Sequence, residues 1–250
     1  MPSIDLRSVT VAYPVVVSAR QQSAFAAVAQ TFSFGRLARE TTGGKYVVAL
    51  QGLTLDVPNG TRLGLIGRNG SGKSTLLKTM AGIIHPTRGS VDIEGRIGCL
   101  LGLGAGLDPE KTGLDNLRLV ARLHGLKGAR LESAIEEAAE FTELGPFLNM
   151  PTRTYSSGMT ARLAFAIATA HQSDLLLIDE VIGTGDAHFV HKAINRVKTL
   201  CAESGIVVLA SHSSDIMREF CDEAAWLDSG RLMMRGGVDE VFSEYARATI

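Results

Sequence analysis

The sequence predicts an α/β fold, and three observations carry that expectation. Residues 175–178 are four apolar side chains in a row, and Ile206–Ala210 is another such run, as strands buried on both faces read. Helical periodicity fills the chain between and before them, at 158–171 and 187–203. The run 61–66 passes through a glycine-rich turn straight into the helical run 73–81, the strand, loop and helix of a parallel-sheet unit.

The elements follow in chain order. Residues 4–13 and 47–57 are β-rich, and between them Phe25, Val28 and Phe32 suggest a short amphipathic helix ahead of a loop at Phe34 and Gly35. After the 61–81 unit, residues 115–143 read as helices, with apolar positions at Leu117, Val120, Leu123, Leu131, Ile135, Ala138 and Phe141. The strand-helix alternation of 158–210 comes next. Residues 226–232 turn through Asp228, Ser229 and Gly230 as a hairpin, followed by a terminal helix.

Composition narrows the functions open to such a fold. The chain has 250 residues, 45% of them apolar, enough to bury a full core. Lys and Arg number 25 against 26 Asp and Glu, a net charge of −1, which argues against a general nucleic-acid binder held by phosphate neutralisation. No charge-free stretch approaches the roughly 18–20 apolar residues of a bilayer span, and no secretory leader pattern opens the sequence. The three cysteines, Cys99, Cys201 and Cys221, show no metal-binding spacing and read as free thiols. Glycine is the outlier, at 27 residues.

One cluster of those glycines carries chemistry. Gly67, Arg68, Asn69, Gly70, Ser71, Gly72, Lys73 and Ser74 fit GxxxxGK[ST], followed by Thr75, and stand between a strand and a helix, the context that pattern needs. Glycines let backbone N–H groups turn inward around phosphate oxygens, the helix adds its positive end, Lys73 supplies a cation and Ser74 a ligand for magnesium. The apolar run 175–178 ends in Asp179 and Glu180, at the strand end where ligands collect in open α/β sheets. Beside a phosphate loop, Asp179 reads as the magnesium carboxylate and Glu180 as the base that polarises the attacking water. His212 follows the strand 206–210, placed to contact a γ-phosphate. Ser156, Ser157, Gly158 and Met159 stand at a helix N-terminus after Tyr155, a natural anion site. Arg153 and Arg162 flank that site, with phosphate contact and ordinary ion pairing equally open. His188 and His191, at i and i+3, have no third ligand nearby and read as a surface or structural pair.

The order of phosphate loop, helical insertion, Ser156–Gly158, Asp179–Glu180, Gly185–Asp186 and His212 resembles that of ABC-type ATPases. The segments LGAGLDPEKTGLDN (103–116), YSSGMTARLAFAIA (155–168) and VIGTGDAHF (181–189) look like those of the subunits that export O-antigen, capsule or teichoic-acid polymers. The resemblance covers nearly the whole chain. It implies a P-loop ABC-type core with an antiparallel β layer and a helical signature subdomain: 1–100 and 172–250 for the β layer and core, 101–171 for the helical part, and 14–46 as an inserted loop or helix.

It further implies ATP and Mg2+ as cofactors, with Lys73 and Ser74 on phosphate and metal, Glu180, His212 and Lys73 catalytic, and Asp186 in a loop facing a second copy of the chain. In such proteins the signature helix faces away from its own phosphate loop, so two copies sandwich ATP. A membrane permease is the expected partner, a lipid-linked polysaccharide the cargo, and the cytoplasmic face of the bacterial inner membrane the location. Nucleic acid is not expected as a partner. Tyr13 is the candidate to stack on adenine, with Tyr46 as rival. The glutamine that many relatives carry near residues 101–104 is missing. ATPase subunits of drug or lipid exporters would share the catalytic residues, whereas a soluble ATPase uncoupled from transport predicts a long coiled coil between the nucleotide motifs or a second motif set, and Lys73 and Asp179 are only 106 residues apart.

Overall fold

A computed structural model describes residues 1–15, 38–41, 44–102, 106–123, 125–179 and 187–249. The expected helix at Phe25–Phe32 lies outside them, as do Glu180 and Asp186. The chain divides into two compact units, Met1–Gly95 with Gly205–Ile250, and Arg96–Ser204. These bounds differ from the expected split at 101 and 171, because the strands and helix that flank the helical segment group with it.

The first unit contains an antiparallel sheet ordered β2 (Ala38–Thr41), β3 (Gly44–Val57), β1 (Ser3–Val15) and β5 (Arg88–Glu94). Here β2, and the reach of β1 to Val15 and of β3 back to Gly44, put strand at both ends of the span expected as loop or helix. β5 escaped the sequence reading because it is an edge strand whose side chains are largely exposed, so it carries no apolar run.

The same unit carries β4 (Arg62–Ile66) between β8 (Ile206–Ala210) and β9 (Glu223–Asp228), parallel to both, with β10 (Arg231–Gly237) antiparallel to β9. Leu63, Leu65, Ile206, Val207 and Val208 are fully buried, which is why β4 and β8 read as unbroken apolar runs. Helices α1 (Lys73–Met80), α6 (Ser214–Phe220) and α7 (Val238–Thr249) complete this unit. α6 was not anticipated: its seven residues are too few for a helical period to show, and Ser213, whose side chain accepts from Ile216 N, starts it. Gly64 admits it closely, since a Cβ there would run into Met217 Sδ.

The second unit holds the parallel pair β6 (Ile97–Leu100) and β7 (Leu175–Asp179), and the helices α2 (Gly113–Leu123), α3 (Ala129–Thr142), α4 (Ser157–Ala168) and α5 (Ala187–Glu203). The expected helical stretch 115–143 is thus two helices. Their apolar stripes meet in one cluster of Leu117, Leu131, Ile135, Ala138, Leu148 and Leu163. Cys201 and Cys221 are buried and Cys99 is half-buried, and burial pushes the Cys99 thiol up. Among the described residues no helix is long and apolar enough to cross a membrane.

Candidate nucleotide site

In the first unit, β4 ends at Ile66 and the chain turns at once into the 67–72 loop. Three of its glycines, Gly67, Gly70 and Gly72, have positive φ, and Gly72 begins α1 in the left-handed region at φ 108°. A Cβ on Gly72 would stand 2.7 Å from Ala49 O of β3, and one on Gly67 would strike Leu227 O of β9. The loop therefore has backbone pressed against it from two sides, and a side chain at either position has nowhere to go.

Lys73 folds back over this loop. Its buried ammonium donates to Gly67 O at 2.7 Å and Arg68 O at 3.2 Å, so two of its donors hold the loop's entry in place. Ser71 is buried as well, and among the described residues its Oγ has no hydrogen-bond partner. A buried hydroxyl left so costs about 1–3 kcal/mol, and an oxyanion in the loop would remove that cost. Arg68, Asn69, Gly70 and Ser74 are exposed, and Thr75 is half-buried in the first turn of α1.

The two tyrosines separate cleanly. Tyr13 pairs with Val47 and Pro14 with Tyr46 across β1 and β3, so Tyr13 and Tyr46 point to opposite faces of the sheet. Tyr13, 39% exposed, brings its hydroxyl 3.5 Å from Thr75 Oγ1, on the phosphate-loop side. His212 is exposed just beyond β8, two residues before α6.

Sequence reasoning missed the clasp that holds the loop. At the tip of the β9–β10 hairpin, Gly230 N donates to Ser71 O at 2.9 Å, while Gln51 N of β3 donates to Gly230 O at 2.8 Å. Gly230 has φ 77°, and a Cβ there would sit 2.6 Å from Ala49 O. A turn glycine is ordinary in a hairpin, so nothing local marks it as serving a loop more than 150 residues away. Replacing Gly230 with Ala should lower Tm, cost about 1–3 kcal/mol, and raise the KM for ATP by loosening the loop. An unchanged KM would show that the clasp does not position it.

The second unit presents the other predicted residues. Asp179 is the half-buried last residue of β7. Ser156 is the N-cap of α4, and its Oγ accepts from Met159 N at 3.2 Å. Tyr155 fastens the approach to that cap: its hydroxyl donates to Phe147 O at 2.8 Å, and it packs so close that a Cβ on Gly113 would strike it. Burial pushes the Tyr155 phenol up. Gly158 differs from the loop glycines. A Cβ there would meet only Ser156 Oγ, at 3.9 Å, so nothing within the described residues requires glycine at that place.

The approach to the signature is also tied to the segment after β6. Asn116, 1% exposed, accepts from Asp108 N at 2.8 Å and donates to Asp108 O at 3.1 Å and Thr112 O at 3.0 Å. Thr152 Oγ1 donates to Asp108 O at 2.9 Å and Arg153 N to Pro109 O at 3.0 Å. The two arginines found carboxylates: Arg153 pairs with Glu110 at 3.3 Å and Arg162 with Glu143 at 3.4 Å. His188 Nδ1 lies 3.7 Å from Glu143 Oε2, and His191 Nδ1 is 3.3 Å from Asn195 Nδ2. Among the described residues no cluster of three His, Cys, Asp or Glu could hold a metal.

Residues 50–183 match the family model described as ABC transporter. The chain is 42% identical over 230 residues to the O-antigen export system ATP-binding protein RfbE of Yersinia enterocolitica, covering 92% of this chain and 96% of that one. It is 42% identical over 210 residues to the O-antigen export system ATP-binding protein RfbB of Myxococcus xanthus, covering 84% of this chain but only 48% of the relative, so it spans about half that protein's length. A dimeric ATP-binding cassette solved in a post-hydrolysis state with ADP and Pi superposes with a TM-score of 0.71 at 21% identity, covering 94% of this chain and 98% of the other, and shares the fold. The phosphate loop in its strand-to-helix setting and a family match over more than half of the sequence lead to one assignment: the chain belongs to the ABC transporter family, as an ATP-binding cassette.

Proposed function

We propose that this chain is the ATP-hydrolysing subunit of an exporter of lipid-linked polysaccharide, O-antigen or a related polymer. It works as a head-to-tail homodimer held to the cytoplasmic face of the membrane by a separate permease. The observation that carries the substrate class is the 42% identity to an O-antigen export protein across 96% of that relative's length.

The site residues take the following roles. Adenine stacks on the exposed ring of Tyr13. The phosphates lie in the cradle of residues 67–75, where Lys73 offers a cation and the buried Ser71 hydroxyl gains its missing acceptor. Ser74 and Asp179 are hard oxygen donors of the kind that suits Mg2+, and they would hold it. When bound, the metal neutralises charge on the transferring phosphoryl group. Glu180 takes a proton from the water as its oxygen bonds to the γ-phosphorus and the bond to the bridging oxygen of ADP breaks. His212 contacts the γ-phosphate, and Ser156, Ser157, Gly158, Met159 and Asp186 of the second copy close the site.

Gly158 supports the two-chain arrangement, because a glycine that none of the described residues requires leaves room for a close approach from outside. Gly158→Asp tests this. It should leave Tm and ATP binding by the single chain near wild type, lower ATPase activity by about 10²-fold or more through charge repulsion at a γ-phosphate, and leave polymer in the cytoplasm of the producing strain. Normal surface polymer in a strain carrying only this variant, with its ATPase activity lost, would overturn the export assignment. Unchanged ATPase activity would overturn the shared site.

A further inference from the structure

We propose that Glu143 is a positioning residue that fixes the signature helix α4 to α5, so that the starts of the two helices meet a second chain as one piece. This rests on the two-chain site proposed above.

The carboxylate stands where three helices of the second unit come together. Glu143 Oε1 accepts from Lys192 Nζ of α5 at 2.8 Å, and Oε2 lies 3.4 Å from Arg162 Nη1 of α4 and 3.7 Å from His188 Nδ1 of α5. Arg162 and Lys192 each lie in the second turn of their helix, so one carboxylate reaches both helices close to their N-terminal ends. The cations are held for it from behind. Lys192 Nζ also donates to Phe141 O at 3.1 Å and lies 4.9 Å from the Phe141 ring centroid, while Arg162 lies 4.8 Å from that of Phe189. Phe141 of α3, Phe165 of α4 and Phe189 of α5 pack on one another at 5.6–6.1 Å beneath. The Lys192 ammonium beside it holds the Glu143 carboxyl below the usual carboxylate range.

The backbone makes the choice of glutamate telling. Glu143 caps α3 at φ 57° and ψ 24°, in the left-handed region where glycine is the unstrained residue. A residue serving only to end the helix would be better as glycine. The side chain is what the position keeps, and half-exposed ion pairs contribute little to stability, so its use lies in orientation.

Two variants test this in the full chain. Glu143→Gln keeps the shape and loses the charge; Glu143→Gly relieves the backbone and loses the side chain. Neither should lower Tm or single-chain ATP binding, and Glu143→Gly should hold or raise Tm. In the Glu180→Gln background, both should raise the ATP concentration that half-saturates dimerisation by about fivefold, and with Glu180 intact both should lower kcat about as much. In a double-mutant cycle with Lys192→Gln the losses should be smaller than additive. Glycine that behaves as wild type, a dimerisation midpoint that does not move, or additive losses would each overturn the role of Glu143 alone. A Glu180→Gln parent that stays monomeric with saturating ATP removes the shared site itself, and this proposal with it.

Discussion

Glu180→Gln should bind ATP and not turn it over. A positioned general base contributes about 10²–10⁴-fold, so kcat should fall by that range while the amide, of the same size, leaves the nucleotide cradle as it was. With the γ-phosphate preserved, the ATP-loaded dimer should persist and elute at twice the mass in size-exclusion chromatography with ATP and Mg2+. The ADP-loaded variant should elute as a monomer. Hydrolysis at the wild-type rate would remove Glu180 from the mechanism and require another base at the end of β7.

Lys73→Ala should have the second large effect, and at an earlier step. Lys73 is 8% exposed and its ammonium holds Gly67 O and Arg68 O, so its loss takes both the cation and the fastening of the loop's entry. A hydrogen bond to a charged group is worth about 1.5–3 kcal/mol, which converts to an ATP affinity about 10- to 100-fold weaker. ATPase activity should then be undetectable at ATP concentrations that saturate the wild type. Calorimetric titration with a non-hydrolysable ATP analogue reads the affinity directly. Lys73→Arg should not restore it, because a planar guanidinium does not fit where a compact ammonium sits between two carbonyls. Wild-type affinity in the alanine variant would show that the cradle's backbone alone carries phosphate binding. Here the two variants part company: Glu180→Gln yields a loaded, stable pair of chains, Lys73→Ala chains that do not load.

Much of the candidate site was legible in the sequence because the residues of the 67–74 loop are consecutive. From Gly67 to Ser74 the backbone itself makes the candidate cradle, so glycine spacing and one lysine announce it. Likewise, β7 and β8 are buried on both faces and show as apolar runs, and Ser156 stands at a helix start that its own hydroxyl caps. What stayed hidden was whatever depends on partners far apart in the chain. The edge strand β5 is exposed and gives no pattern. The helix α6 is too short for one, and the aromatic junction under Glu143 draws on three helices.

The sequence by itself determined the α/β fold, the phosphate loop and the order of the motifs, since each is written in neighbouring residues and local periodicity. Only the tertiary structure decided that Tyr13 and not Tyr46 shares a face with Thr75, that Gly230 clasps Ser71, and that Arg153 and Arg162 are engaged by Glu110 and Glu143. Those outcomes hang on strand register and on contacts between distant segments. A shift of one residue in register reverses which side chain faces which side, and composition or spacing carries no record of it.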